Sequence, residues 1–267
     1  KPMNLGYPIN TESDEIGLMV TLDGQKAYFA SNKINQSNGW DIYFFDLYEA
    51  VQPEEVVFVK GQLKIDQFAS DEDPKVLLKN SMTGESQQLQ LSRDDNSFVA
   101  VVKKEEAQQV LLQLEAKKAA FSAAPIRLAP NLDAVGVLQN EVSIELEHKD
   151  LESGEAYLIP HILFETASDR LDAQSELLIA SFAQYLLGAP SLRVQIQGHT
   201  DNVGDASANL DLSKRRAKRV AETIIELGVS ANRISHGGYG ESRPVASNDS
   251  EVGRSQNRRT VFVVTAL

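Results

Sequence analysis

Residues 198–204, Gly198-His199-Thr200-Asp201-Asn202-Val203-Gly204, separate two segments of different hydrophobic period. Before them, Leu192, Val194 and Ile196 alternate with Arg193, Gln195 and Gln197, the two-residue period of a half-buried strand. After them, Leu210, Ala217, Val220, Ala221, Ile224 and Leu227 recur at helical spacing from about Ala206 to Leu227, and Gly228 supplies the C-terminal stop. The junction carries one carboxylate, Asp201, in a glycine-flanked loop. Asn209, Ser213 and Arg216 stand at i, i+4 and i+7 and share one stripe of the helix, so a guanidinium faces the same region. Spacing alone leaves two outcomes open. Either Asp201 neutralises Arg216 directly, or both face a pocket for a ligand with an ammonium and a carboxylate, because an unpaired buried charge is costly.

Outward from this junction, Leu178, Phe182, Tyr185 and Leu186 predict a helix from about Asp172 to Leu187, stopped by Gly188 and Pro190. Ile162-Leu163-Phe164 reads as a short strand ahead of it, and Ile234–Tyr239 and Thr260–Val264 read as two more. Strand, helix, strand, helix, strand predicts an α/β sandwich with right-handed crossovers and helices on one sheet face.

The N-terminal part has another character. Short alternating runs such as Ala27-Tyr28-Phe29-Ala30 and Asp41-Ile42-Tyr43-Phe44 are separated by Asp23-Gly24 and Asn38-Gly39. From about Glu54 to Leu128, candidate strands at Val56–Val59, Lys75–Leu78, Gln88–Leu91, Phe98–Val102 and Val110–Leu114 suggest a small β-sandwich, with a further strand at Val142–Leu146. The chain is thus expected to be multi-domain, all-β first and α/β last, with bounds 1–53, 54–150 and 151–267.

The formal charge of −12 is uneven. From Pro160 onward, twelve Lys and Arg balance twelve Asp and Glu, so the whole excess is N-terminal. A neutral C-terminal part beside an acidic N-terminal part argues against nucleic acid as a partner. Cysteine is absent, which removes disulfides and thiolate chemistry. No apolar run approaches the roughly 18 to 20 residues of a membrane-spanning helix.

Several constellations resolve toward structure. His199 beside Asp201 reads as a loop-fixing histidine, with no metal expected, since strand-end neighbours rarely converge on one ion. Ser207 or Ser213 with His199 and Asp201 lacks a nucleophile elbow or oxyanion-hole signature, so no catalysis and no cofactor is expected. Lys214-Arg215-Arg216 with Lys218-Arg219 reads as a solvated helix face plus Arg216. Gly237-Gly238-Tyr239-Gly240 lacks the lysine of a phosphate-binding loop.

The pattern of residues 198–217, together with Asn257-Arg258-Arg259 ahead of the last strand, resembles the OmpA-like peptidoglycan-binding domain over roughly Tyr157 to Leu267. The resemblance implies a βαβαβ sandwich in which Asp201 accepts the ammonium of diaminopimelate in the cell-wall stem peptide, while Arg216 donates to its carboxylate. It implies supporting roles for Asn209 and Arg258, with Thr200, Leu212 and Ser213 lining or shaping the pocket. Ala167 stands where the family can place Asn, and Thr166 is the candidate substitute. Residues 8–47 look like one WD-like propeller repeat. A propeller needs about four or more blades, so Lys1 is expected to lie inside a longer protein whose last blade this is; a hairpin packed on the next domain is the alternative. Residues 54–128 resemble a carboxypeptidase-regulatory-like sandwich. The implied function is a non-enzymatic anchor in the periplasm of a Gram-negative bacterium, tying an outer-membrane or secretion-system assembly to the wall. A scaffold without wall binding and a cell-wall hydrolase are the alternatives.

Overall fold

The computed structural model describes residues 6–7, 12–21, 24–33, 39–48, 52, 56–65, 74–81, 83–116, 119–127, 141–160, 162–164 and 168–267. They divide into two units between Val56 and Val57. In the first, β1 (Glu15–Val20), β2 (Lys26–Ser31) and β3 (Asp41–Asp46) form one antiparallel sheet in chain order. Alternation sorts β2: Ala27, Phe29 and Ser31 are buried, while Tyr28 on the other face packs against Phe44 at 5.9 Å between ring centroids. This sheet is what is described of the expected propeller repeat, and no described sheet closes on itself.

The second unit opens with β4 (Val56–Ile65), β5 (Lys75–Asn80), β6 (Ser86–Leu89), β7 (Ser97–Lys103), β8 (Val110–Glu115), β9 (Ala123–Pro125) and β10 (Glu141–His148). They make two sheets, ordered β10-β4-β7 and β6-β5-β8-β9. Phe98, Ala100 and Val102 point inward from β7, while Val99 and Val101 are exposed. Val57, Val59 and Leu63 of the first sheet and Val76, Leu112 and Leu114 of the second belong to one apolar cluster.

The rest of the unit is β11 (Ala156–Leu158), α1 (Ala173–Gly188), β12 (Arg193–Gly198), α2 (Ala206–Glu226), β13 (Ile234–Gly238), α3 (Glu251–Asn257) and β14 (Thr260–Ala266). Their sheet runs β11-β14-β12-β13, with β12 and β13 parallel and β14 antiparallel to both neighbours. Both long helices are capped by an aspartate. Asp172 accepts from Ser175 N at 2.7 Å, and Asp205 accepts from Ser207 N at 2.9 Å and Ala208 N at 3.0 Å. Leu178, Phe182 and Leu186 of α1 and Ala217, Val220 and Ile224 of α2 pack with Val194, Ile196 and Phe262 of the sheet in one core.

Two expectations are corrected. Ile162-Leu163-Phe164 is not a strand; Phe164 makes only an isolated bridge to Leu171, and the edge strand is Ala156–Leu158. Pairing with β14 decides this: Tyr157 faces Phe262 at 5.2 Å, whereas Leu163 lies 51% exposed. Leu210 and Leu227 of the α2 stripe are also exposed. The other expected positions, Ala217, Val220, Ala221 and Ile224, are buried, and Asn209 and Ser213 join them in the buried row.

The C-terminal core does not stop at its own elements. Leu111, Ala120, Phe121 and Ala123 of the preceding segment belong to it. Phe121 lies 5.0 Å from Phe182 and 5.6 Å from Tyr185, ring centre to ring centre. The Tyr185 hydroxyl donates to Ala119 O at 2.8 Å, and Ser181 Oγ donates to Gln113 Oε1 at 2.7 Å in the buried interior.

Candidate functional site

Two glycines set the distance between α2 and the strand ends. A Cβ on Gly198 would stand 2.5 Å from Ser213 O, and one on Gly238 would collide with the Lys214 backbone. Without them α2 could not lie so close, and Asn209 would not reach the loop after β12. Its Nδ2 donates to Asp201 O at 3.3 Å, to Val203 O at 3.2 Å and to Glu241 Oε2 at 2.8 Å. Ser213 Oγ accepts from Gly240 N at 2.8 Å and donates to Leu210 O at 2.8 Å. Gly204, at φ +102°, turns the chain from this loop toward α2.

Asp201 is buried, with its carboxylate held from two sides. Oδ1 accepts from Val203 N at 3.1 Å and Oδ2 from Arg258 Nη1 at 2.6 Å. Arg258 extends the chain of charges, since its Nη2 donates to Glu251 Oε1 at 2.7 Å. The other oxygen of Glu251 accepts from Arg254 Nε at 3.0 Å. The hydrogen bonds that Arg258 donates to Asp201 and then to Glu251 raise its pKa, while those from Arg258 and Arg254 hold Glu251 below the usual carboxylate range.

Arg216 does not ion-pair with Asp201, so direct neutralisation is not what the fold uses. Its Nε donates to Ser168 O at 3.0 Å, and its guanidinium lies 4.8 Å from the Phe164 ring centre. Burial, followed by the nearby charge of Arg215, lowers its pKa, with Asp169 and Asp201 opposing. Below the strand ends, buried His199 stacks on Tyr239 at 5.5 Å, and Arg243 covers the same ring at 3.8 Å. Burial, reinforced by Arg259 and Arg243, drives the His199 pKa down to about 4, so the ring is neutral at neutral pH.

Asp201, Thr200, Asn209, Leu212, Arg216 and Arg258 line one cavity of about 880 Å³. Ser213 sits beneath it and shapes it through Gly240. Thr166 and Ala167 lie outside the described residues. Sequence reasoning missed Glu251, Arg254 and Phe164 in the cavity wall, and Glu241 behind Asn209. The first two come from α3, and their signal was a helix start: Ser250 Oγ accepts from Gly253 N at 3.1 Å, with Glu251 in the first turn.

Residues 163–258 match the OmpA family. The chain is 37% identical over 142 residues to the outer-membrane lipoprotein YfiB of Pseudomonas aeruginosa, a match covering 53% of this chain and 82% of that protein. It is 36% identical to the peptidoglycan-associated lipoprotein of Brucella melitensis, over 39% of this chain and 61% of that one. It is also 43% identical to the peptidoglycan-binding protein ArfA of Mycobacterium bovis, over 31% of this chain and 25% of that one. The lipoprotein match extends over most of that relative, and on this ground the chain belongs to the OmpA family.

Proposed function

We propose that this protein anchors an envelope assembly to the cell wall by binding peptidoglycan non-covalently, through the diaminopimelate of the stem peptide. The observation that carries the reading is that a buried carboxylate and a half-buried guanidinium, Asp201 and Arg216, line one cavity without pairing to each other. An ammonium at Asp201 and a carboxylate at Arg216 together describe a free amino-acid terminus. The names of the relatives, peptidoglycan-associated and peptidoglycan-binding, support wall attachment in general, and outer-membrane names among them support a periplasmic, outer-membrane-associated location in a Gram-negative bacterium. Nothing in this role requires catalysis or a cofactor. Under this reading, residues 151–267 carry the wall contact, and the strand-rich segments 1–53 and 54–150 connect it to an outer-membrane or secretion-system partner. Modest single-site affinity suffices, because the polymer offers many copies of the peptide.

Pull-down with purified sacculi tests the assignment. Asp201→Ala and Arg216→Ala should each lose binding while the protein stays folded, and unchanged binding by both variants sinks it.

A further inference from the structure

The charges along the cavity wall form a linear chain: Arg254, Glu251, Arg258 and Asp201 alternate in sign, two positive and two negative, linked by bonds of 2.6 to 3.0 Å. In this arrangement Arg258 occupies the place beside Asp201 where a ligand's ammonium would have to bind. If the site takes an ammonium there, as the proposed function requires, Asp201 acquires a second cationic partner. Arg258 then either leaves it or shares it, and the chain as a whole carries one uncompensated positive charge. That charge sits on a partly exposed wall, with Arg258 at 41% and Arg254 at 27% side-chain exposure, where a second anion gains modestly by pairing with it. Arg216 does not relieve it, since it is engaged with the ligand's own carboxylate.

Size points the same way. A cavity of about 880 Å³ is at the upper end of small-molecule sites, well beyond what one amino-acid end fills. The cavity lining also includes Glu251, Arg254, Ser255 and Arg258, and since Arg258 touches Asp201, the part of the ligand next to the ammonium lies near two guanidinium groups and the one carboxylate that joins them.

We propose that this wall is a second, anionic subsite: the ligand's ammonium releases Arg258 from Asp201, and Arg258 with Arg254 then holds a second carboxylate on the same ligand. The preferred ligand is an acidic peptide bearing an amino-acid terminus and, one residue away, another free carboxylate. Within the wall peptide that group is the α-carboxylate of a γ-linked glutamate. A chain in which this group is amidated keeps the ammonium and the first carboxylate but leaves Arg258 without an anion. Glu251 is the holding point between the two states, keeping the guanidinium at the cavity mouth while it changes partner.

Calorimetric titration with two synthetic tripeptides tests this: alanyl-γ-glutamyl-diaminopimelate with the glutamate α-carboxylate free, and the same peptide with it amidated. The wild-type protein should bind the free acid about fivefold to tenfold more tightly, the scale of one partly exposed ion pair. Arg254→Gln should bring the ratio of the two affinities toward one, and raised salt should shrink it in the wild type. Equal wild-type affinities for both peptides overturn the second subsite while leaving wall binding intact. Absence of binding to either peptide overturns the wall-binding reading and this subsite with it.

Discussion

Arg258 Nη1 lies 2.6 Å from Asp201 Oδ2, so the carboxylate expected to meet the ligand is held by an arginine 57 residues further along the chain. Asp201→Asn keeps the shape of the group and removes its charge. The variant should stay folded, because Asn can still accept from Val203 N, and Glu251 still partners Arg258. Loss of peptide binding should be about 1.5 to 3 kcal/mol, the scale of a hydrogen bond to a charged group, read by calorimetry with thermal melting as the folding control.

Arg216→Lys should lose nearly as much. A lysine ammonium cannot reproduce the planar fork that donates to a carboxylate, and it replaces the guanidinium that stands 4.8 Å from the Phe164 ring centre. Retention of more than half the wild-type affinity would show that Arg216 acts only as a point charge.

Gly238→Ala should destabilise the second unit by about 1 to 3 kcal/mol, the usual range for overpacking, because the added Cβ meets the Lys214 backbone. The strand edge or α2 has to move, and Asn209 loses register with Glu241. Denaturant titration measures the first effect and weakened peptide binding the second.

Stability should fall on acidification through His199. Its folded pKa of about 4 lies below the unfolded value of 6.5, so between those pH values the unfolded chain takes up a proton that the native fold excludes. The resulting loss grows as pH drops from about 6.5 and levels off below about 4, where both states are protonated. His199→Gln should flatten that part of a stability profile measured by denaturant titration.

Phe121→Ala should cost about 3 to 5 kcal/mol, as for other buried aromatic truncations. It empties the space against Phe182 and Tyr185. Unfolding followed by far-ultraviolet circular dichroism and by binding should shift together, since the residue is part of the core under α1.

The parts legible in the sequence are those with sustained periodicity. Leu192–Gln197 and Ala206–Leu227 gave their strand and helix directly, and with them Asp201, Asn209 and Arg216 on one cavity. Ile162–Phe164 misled because a three-residue apolar run has no period, and β-pairing, a long-range property, chose Ala156–Leu158 instead. The seven residues of α3 were invisible for the opposite reason: Glu251–Asn257 is polar and too short to show a stripe, so Glu251 and Arg254 went unseen. Leu210 was assigned inward by spacing, yet α2 turns Asn209 and Ser213 to the sheet because their side chains satisfy the Asp201 and Gly240 backbones.

Phe121, Gln113 and Ala119 bind α1 of the C-terminal fold to the strand segment before it through edge-on and tilted ring contacts and hydrogen bonds. Under the proposed function, a pull on a bound wall strand would therefore pass from the cavity through the sheet core and α1 into β8 and β9 as through a solid strut. Under tension, extension would have to come from elsewhere in the assembly, because slack at this joint would require opening the core itself.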